Sequence, residues 1–314
     1  MRVKPRFALR LITSLVAVAF VSLPAASAES THSGNALALL SPKAKDASES
    51  SIWKSLKNRR LRLQSSSVLV FDPEENIEVY TRNADEQRSI ASLTKLMTAM
   101  VLLDAKLPMD EKITITKADK DRLRWTKSRL RFGTVLSRGE LLRLALMSSA
   151  NRAAAALART YPGGTEAFVV AMNRKAMDLG LKHTWFMDST GLDAGNVSTA
   201  RELARMVGAA HAYPLIRKLT TTKSVEIPVK GYRDPLKFSN TNRLIKNDSW
   251  DIELSKTGYI LESGRCLVMR TTIAKRPLTI VLLNSWGKLS PIGDSNRIRS
   301  WIERYVARYS GDSA

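Results

Sequence analysis

Apolar residues gather along this chain in two ways. Near each end they form short, nearly unbroken runs. Val68-Leu69-Val70-Phe71 is followed by the turn-forming Asp72-Pro73-Glu74-Glu75-Asn76 and then by the alternating Ile77-Glu78-Val79-Tyr80. Leu254 to Tyr259, Cys266 to Ile273 and Leu278 to Leu283 repeat the pattern near the other end. Runs of this length between turn residues predict strands. Between them the spacing is helical. From Ser92 to Ala105 the positions 93, 96, 97, 100, 101 and 103 are apolar. Glu140–Met147, Arg152–Arg159, Thr165–Leu179 and Thr199–Ala212 predict further helices, and Ile298, Trp301, Ile302, Tyr305 and Val306 form one stripe near the C-terminus. Strands at both ends with helices between them predict an α+β fold. Its antiparallel sheet is built from N- and C-terminal segments and flanked by helices, with a mostly helical subdomain beside it and a cleft at the seam.

The first 65 residues do not share this patterning. Arg2, Lys4, Arg6 and Arg10 precede an apolar run from Leu11 to Leu23, and Ala26-Ser27-Ala28 supplies small residues, so residues 1–28 read as a signal peptide. Residues 29–65 read as a flexible, basic leader, with Lys54, Lys57, Arg59, Arg60 and Arg62 near its end, and 66–314 as a single folded domain. Export to the periplasm follows. The lone cysteine, Cys266, allows no internal disulfide and reads as a buried small hydrophobe. Fifty Lys and Arg against 29 Asp and Glu give +21. Such a surplus favours anionic surfaces. In an exported chain it predicts electrostatic association with membrane or wall polymers and no nucleic acid. His32, His183 and His211 are too few for a comfortable zinc site, and neither Gly-x-Ser-x-Gly nor His-Glu-x-x-His occurs.

Three short motifs carry chemistry. Ser92-Leu-Thr-Lys95 opens the first long helix after a strand hairpin, and a three-residue offset sets hydroxyl and amine on one face. A lysine made neutral by burial can take the proton of that hydroxyl. Ser-x-x-Lys also occurs at Ser51–Lys54 and Ser285–Lys288, so position singles out Ser92. Ser149-Ala150-Asn151 lies between two helices, where a second hydroxyl can relay a proton and an amide can hold a carbonyl; helix capping is its bland alternative. Lys256-Thr257-Gly258 lies in a strand-like run, where a cation and a hydroxyl can bind a carboxylate and the glycine permits close backbone approach. In this order the three motifs form the set of penicillin-binding proteins and class A β-lactamases.

With these motifs in place, the chain resembles low-molecular-mass penicillin-binding proteins of the serine D,D-peptidase family from about Ser66 to Tyr305. Leu179-Gly-Leu181, Asp188-Ser-Thr-Gly-Leu192, Asn196-Val-Ser-Thr-Ala-Arg201 and Lys256 to Gly264 all resemble family segments. Ala91 to Met100, Leu146 to Ala154 and Tyr161-Pro-Gly-Gly164 are most similar to the small periplasmic D-alanyl-D-alanine endopeptidases. The resemblance implies a penicillin-binding/β-lactamase-like fold and hydrolysis of D-alanyl cross-links in peptidoglycan peptide stems. Ser92 would be the nucleophile, Lys95 its base and Ser149 the proton donor to the leaving amine. Asn151, Lys256, Thr257 and Gly258 would bind substrate, and the backbone N–H groups of Ser92 and Tyr259 would form an oxyanion hole. The resemblance implies no metal or organic cofactor, and β-lactams as covalent inhibitors. Only 56 residues follow Gly258, room for two strands and one helix, which fits the endopeptidase branch.

Three rival readings remain open. D,D-carboxypeptidase activity would use the same residues. A β-lactamase would need a glutamate to activate the deacylating water, and Asp188 to Asn196 contains none. A non-catalytic wall-binding protein would rely on basic surface such as Lys117, Lys120, Arg122, Arg124, Lys127, Arg129 and Arg131.

Overall fold

The computed structural model describes Trp53 and residues 61–311. The expected signal peptide, most of the expected leader, Ser51, Lys54 and His32 lie outside the described residues. Five strands form one antiparallel sheet in the order β2-β1-β11-β10-β9. They are β1 (Ser65–Asp72), β2 (Ile77–Arg82), β9 (Asp251–Ile260), β10 (Gly264–Ile273) and β11 (Arg276–Ser285). The sheet thus joins both ends of the chain, with Leu69 opposite Val281 and Met269 opposite Ile280. The fold is α+β.

Side chains alternate across the sheet, as a period of two requires. Val68, Val70, Leu267, Met269, Ile280 and Leu282 pack against Ile298, Trp301, Ile302 and Tyr305 of the C-terminal helix, Ser290–Gly311. Leu69, Leu254, Val268, Val281 and Leu283 turn the other way, into a larger core built by the central helices. Burial on both faces is why these strands read as near-continuous apolar runs. Small ribbons complete the strand set: β3 (Arg88–Ser89) with β6 (Val197–Ser198), β4 (Lys112–Thr114) with β5 (Val135–Ser137), and β7 (Ser224–Ile227) with β8 (Leu236–Ser239).

The helices are α1 (Lys95–Asp104), α2 (Arg138–Met147), α3 (Asn151–Arg159), α4 (Gly164–Asp178), α5 (Ala200–His211), α6 (Pro214–Thr220) and the C-terminal α7 (Ser290–Gly311). Local chemistry sets their starts. Ser137 and Glu140 exchange hydrogen bonds in a capping box that opens α2, and Thr199 accepts from Glu202 N at 3.1 Å to open α5.

Two expectations need correction. Ordered structure begins before Ser66: Trp53 is buried and donates to Asp72 Oδ2 at 2.8 Å, and Leu63 is buried in the same cluster. Asp294 of α7 accepts Gln64 N, Ser65 N and Ser65 Oγ at 2.6–3.0 Å, tying this approach to the sheet. The leader therefore does not run unbroken to residue 65. Ser92 also precedes the first helix rather than lying in it, because Ala91–Thr94 forms a 3-10 turn and α1 starts at Lys95.

Candidate active site

The residues singled out in the sequence meet at the seam between the sheet edge and the helical core. The 3-10 turn matters to the first motif, since side chains three apart eclipse in that geometry. Lys95 Nζ lies 2.8 Å from Ser92 Oγ. The turn is entered through Ala91 at φ +46°, a left-handed conformation costly for a residue with a Cβ. Thr94 Oγ1 braces it by donating to Ala91 O at 2.7 Å.

Lys95 is fully buried, and the same amine lies 2.8 Å from Asn151 Oδ1 and 2.5 Å from Thr190 O. Burial pulls its pKa down to about 7, against a smaller upward pull from the Asp188 carboxylate. Ser149 sits at φ +57° between α2 and α3, and no side chain caps α3. The two polar groups of that motif reach inward instead, Asn151 to Lys95 and Ser149 to Lys256, whose Nζ is 2.9 Å from Ser149 Oγ. Lys256 is buried too, and burial, then the nearby Lys95 charge, lowers its pKa well below that of a free lysine.

β9 is the edge strand, and Gly258 faces the 3-10 turn. A Cβ there would lie 2.9 Å from Ile90 O and 3.2 Å from Ser92 N, so the close approach expected of this glycine is present. Thr257 Oγ1 lies 2.7 Å from Thr241 Oγ1. The Tyr259 ring is half exposed beneath the Arg265 guanidinium, 3.7 Å from its centroid. The structure thus brings Ser92, Lys95, Ser149, Asn151, Lys256, Thr257, Gly258 and Tyr259 to one cleft.

Comparison with known proteins decides the family. The model of the D-alanyl-D-alanine carboxypeptidase family matches residues 54–287. The chain belongs to that family. It is 48% identical over 241 residues to a D-alanyl-D-alanine endopeptidase of Pseudomonas aeruginosa, covering 77% of this chain and 78% of that one. An Escherichia coli D-alanyl-D-alanine endopeptidase is 45% identical with the same coverage. Among solved structures, a Streptomyces DD-transpeptidase superposes with TM-score 0.71 at 27% identity, covering 77% of this chain and 98% of that one. A cefotaxime-bound penicillin-binding protein of Listeria monocytogenes gives TM-score 0.68 at 26% identity with the same coverage.

Several residues around this cleft escaped the sequence reading. Asp188 accepts Thr190 N at 2.8 Å, Gly191 N at 2.6 Å and Asp193 N at 3.0 Å, folding the loop that aims Thr190 O at Lys95. Asn196 accepts Met187 N and Asp188 N and donates to Thr94 Oγ1 at 3.1 Å, fastening that loop to the 3-10 turn. Gly191, at φ +78°, lies so close that a Cβ would stand 2.0 Å from Ala91 O. The segment Asp188 to Leu192 was legible as family-like, but nothing in its residue types announces a backbone carbonyl as lysine partner. Thr126 and Arg124 come from the basic stretch 117–131. Thr126 Oγ1 accepts Asn151 Nδ2 at 3.2 Å, and Arg124 reaches Leu192 O and Glu262. Cys266 is buried as expected, and burial pushes its thiol up to about 11. His183 and His211 pair separately with Glu202 and Glu253.

Proposed function

We propose that this chain hydrolyses D-alanyl cross-links of peptidoglycan through an acyl-enzyme on Ser92. The observation that carries the reading is the environment of Lys95 Nζ. A neutral amine has two N–H bonds and one lone pair. Asn151 Oδ1 and Thr190 O, both fixed acceptors, take the two N–H bonds, which turns the lone pair toward Ser92 Oγ. A pKa near 7 makes that neutral form available at working pH.

Ser92 Oγ attacks the D-alanine carbonyl as its proton passes to Lys95. The oxyanion is met by the backbone N–H groups of Ser92 and Tyr259, which Gly258 allows to approach one another. Ser149 Oγ accepts a hydrogen bond from Lys256, so its own proton is free to pass to the leaving amine; the proton held by Lys95 then replaces it, which restores both the Ser149 hydroxyl and the neutral Lys95 amine. The substrate backbone pairs along the free edge of β9. Its carbonyl takes the Asn151 Nδ2 position now held by Thr126 Oγ1, and its carboxylate meets Lys256 and Thr257. Water then releases the acyl group.

The relatives named endopeptidases, at 48% and 45% identity, favour a cross-link as the bond broken. The family description and carboxypeptidases at 31% identity, such as that of Bacillus subtilis, support release of terminal D-alanine as the second reading. The signal-peptide pattern of residues 1–28 and this substrate support a periplasmic enzyme. No described helix is long and apolar enough to cross a membrane. β-Lactams act as substrate mimics that acylate Ser92, a reading supported by the cefotaxime-bound neighbour.

Purified cross-linked muropeptides, followed by mass analysis, test the proposal. Conversion of dimers to monomers is expected; release of D-alanine from pentapeptides alone would establish the second reading instead. Labelled penicillin should bind covalently and turn over more slowly than about one per second, at the low end of enzyme rates.

A further inference from the structure

Several side chains of the basic stretch 117–131 are packed or hydrogen-bonded rather than free in solvent, Asp119, Arg129 and Leu130 among them, and one bears directly on the cleft. Arg124 spans two walls of the cleft. Its Nε donates to Leu192 O at 2.5 Å, on the loop that carries Thr190, and its Nη2 lies 2.9 Å from Glu262 Oε2, in the turn just past the end of β9. Its backbone is fixed as well. Asp121 Oδ1 accepts Leu123 N and Arg124 N, each at 2.9 Å, while Asp121 Oδ2 accepts Thr126 N at 2.8 Å and Thr126 Oγ1 at 2.7 Å. This is a built loop that presents a guanidinium at one end of the cleft.

The direction of substrate binding shows which end. With the reacting carbonyl at Ser92 and the terminal carboxylate toward Lys256, the acyl-donating peptide runs along the edge of β9 past Gly258 toward Tyr259 and Ile260. Each donor residue advances about 3.3 Å, so one to three residues before the reacting D-alanine reach the turn that holds Glu262. Arg124 therefore stands where donor side chains pass. The Arg124–Glu262 pair is partly exposed, with side chains 24% and 47% accessible. Pairs of this kind contribute about 0–1 kcal/mol, so the exchange of one carboxylate for another is cheap. A guanidinium fork fits a carboxylate better than it fits the corresponding amide.

We infer that Arg124 is a specificity-determining residue that reads an anionic peptide stem, exchanging Glu262 for a carboxylate of the donor upstream of its D-alanines. The inference rests on the peptidase reading above but not on which bond is cleaved.

The test uses two linear peptides ending in D-alanyl-D-alanine, identical except that the upstream side-chain carboxylates are free in one and amidated in the other. The full-length parent should favour the free form about tenfold in kcat/KM, through KM, equivalent to about 1.4 kcal/mol. Arg124→Gln should bring that ratio near one, and Arg124→Lys should keep part of it. Glu262→Gln, which removes the competing carboxylate, should lower KM for the free form. Absence of a preference in the parent, or its survival in Arg124→Gln, overturns the inference. So does a fall in kcat on both peptides with the ratio intact, which would mean that Arg124 only holds the Leu192 loop. Protection against labelled penicillin gives the same ratio without turnover. A parent that shows the binding preference yet cleaves neither peptide would therefore sink the peptidase reading and leave this one standing.

Discussion

The two faces of the sheet are built on opposite terms. On the α7 face, the sheet meets a long helix through apolar side chains, and the buried Asp294 carboxylate is surrounded by donors. On the cleft side, Ala91 and Ser149 adopt left-handed conformations, and Lys95 and Lys256 are buried without a carboxylate in hydrogen-bond contact. Left-handed non-glycine residues cost of order 1–3 kcal/mol each, and a buried unpaired ammonium costs several more. The cleft is therefore a place where stability is given up, and the α7 face is what offsets it. Their difference separates residues kept for chemistry from residues kept for folding.

Five measurements would break or sharpen that contrast. The largest effect is expected from Ser92→Ala, which should lower peptide hydrolysis by about 10³-fold or more and abolish the covalent penicillin label. Its unfolding midpoint should stay close to the parent's. Retention of label would place the nucleophile elsewhere. Gly191→Ala comes next. The new methyl group must push against Ala91 O, and displacing a nucleophile by about 1 Å costs about 10²-fold in rate; acylation kinetics should show that loss, and an unchanged rate would mean that the turn tolerates the shift. Ile298→Ala, on the opposite face, should cost about 2–4 kcal/mol in denaturant unfolding through the cavity it leaves. Its kcat/KM at low temperature should match the parent's, and a matching loss of activity would erase the contrast.

The smallest effect tests the burial of Lys95. Its folded pKa of about 7 lies below the 10.5 of the free side chain, so between these values the unfolded chain binds the proton more tightly and stability rises with pH. Lys95→Met should be inactive yet more stable than the parent by about 1–2 kcal/mol near pH 7, since apolar replacement of buried charge is often stabilising. That gap should shrink by about 1.4 kcal/mol per pH unit above 7 and be gone well before pH 10. A gap independent of pH would show that Lys95 is not the group responsible. In the parent, penicillin acylation should fall about tenfold per pH unit below about 7 as the amine takes up its proton.

Much of this was legible in the sequence because burial leaves a period. The inner strands β1, β10 and β11 are covered on both sides and so read as apolar runs, and the helices of the core show their stripes. The three motifs were legible because they occur in order, each at a definite structural place, although Ser-x-x-Lys alone recurs. What was not legible lacks such a signature. Ribbons of two to four residues, such as β3 with β6, are too short to show alternation. Thr190 acts through a carbonyl that every residue owns. Trp53 is a single aromatic in a Ser- and Lys-rich segment, and only tertiary contact with Asp72 reveals that it is packed. Arg124 looked like one cation among seven until Leu192 O and Glu262 tied it to the cleft.

The position of β1 has a kinetic consequence. This strand lies between β2 and β11, and Ser65 meets Ser285 across 220 residues. Pairings so distant in sequence close late, because the loop entropy must be lost before the contacts form. A chain emerging N-terminus first presents Ser92 and Lys95 early, while the strand that carries Lys256 and Gly258 and the strand that closes the sheet follow near the end. The hydrolase cannot assemble until almost the whole polypeptide has been delivered. Its activity is thereby deferred until the last strand has paired.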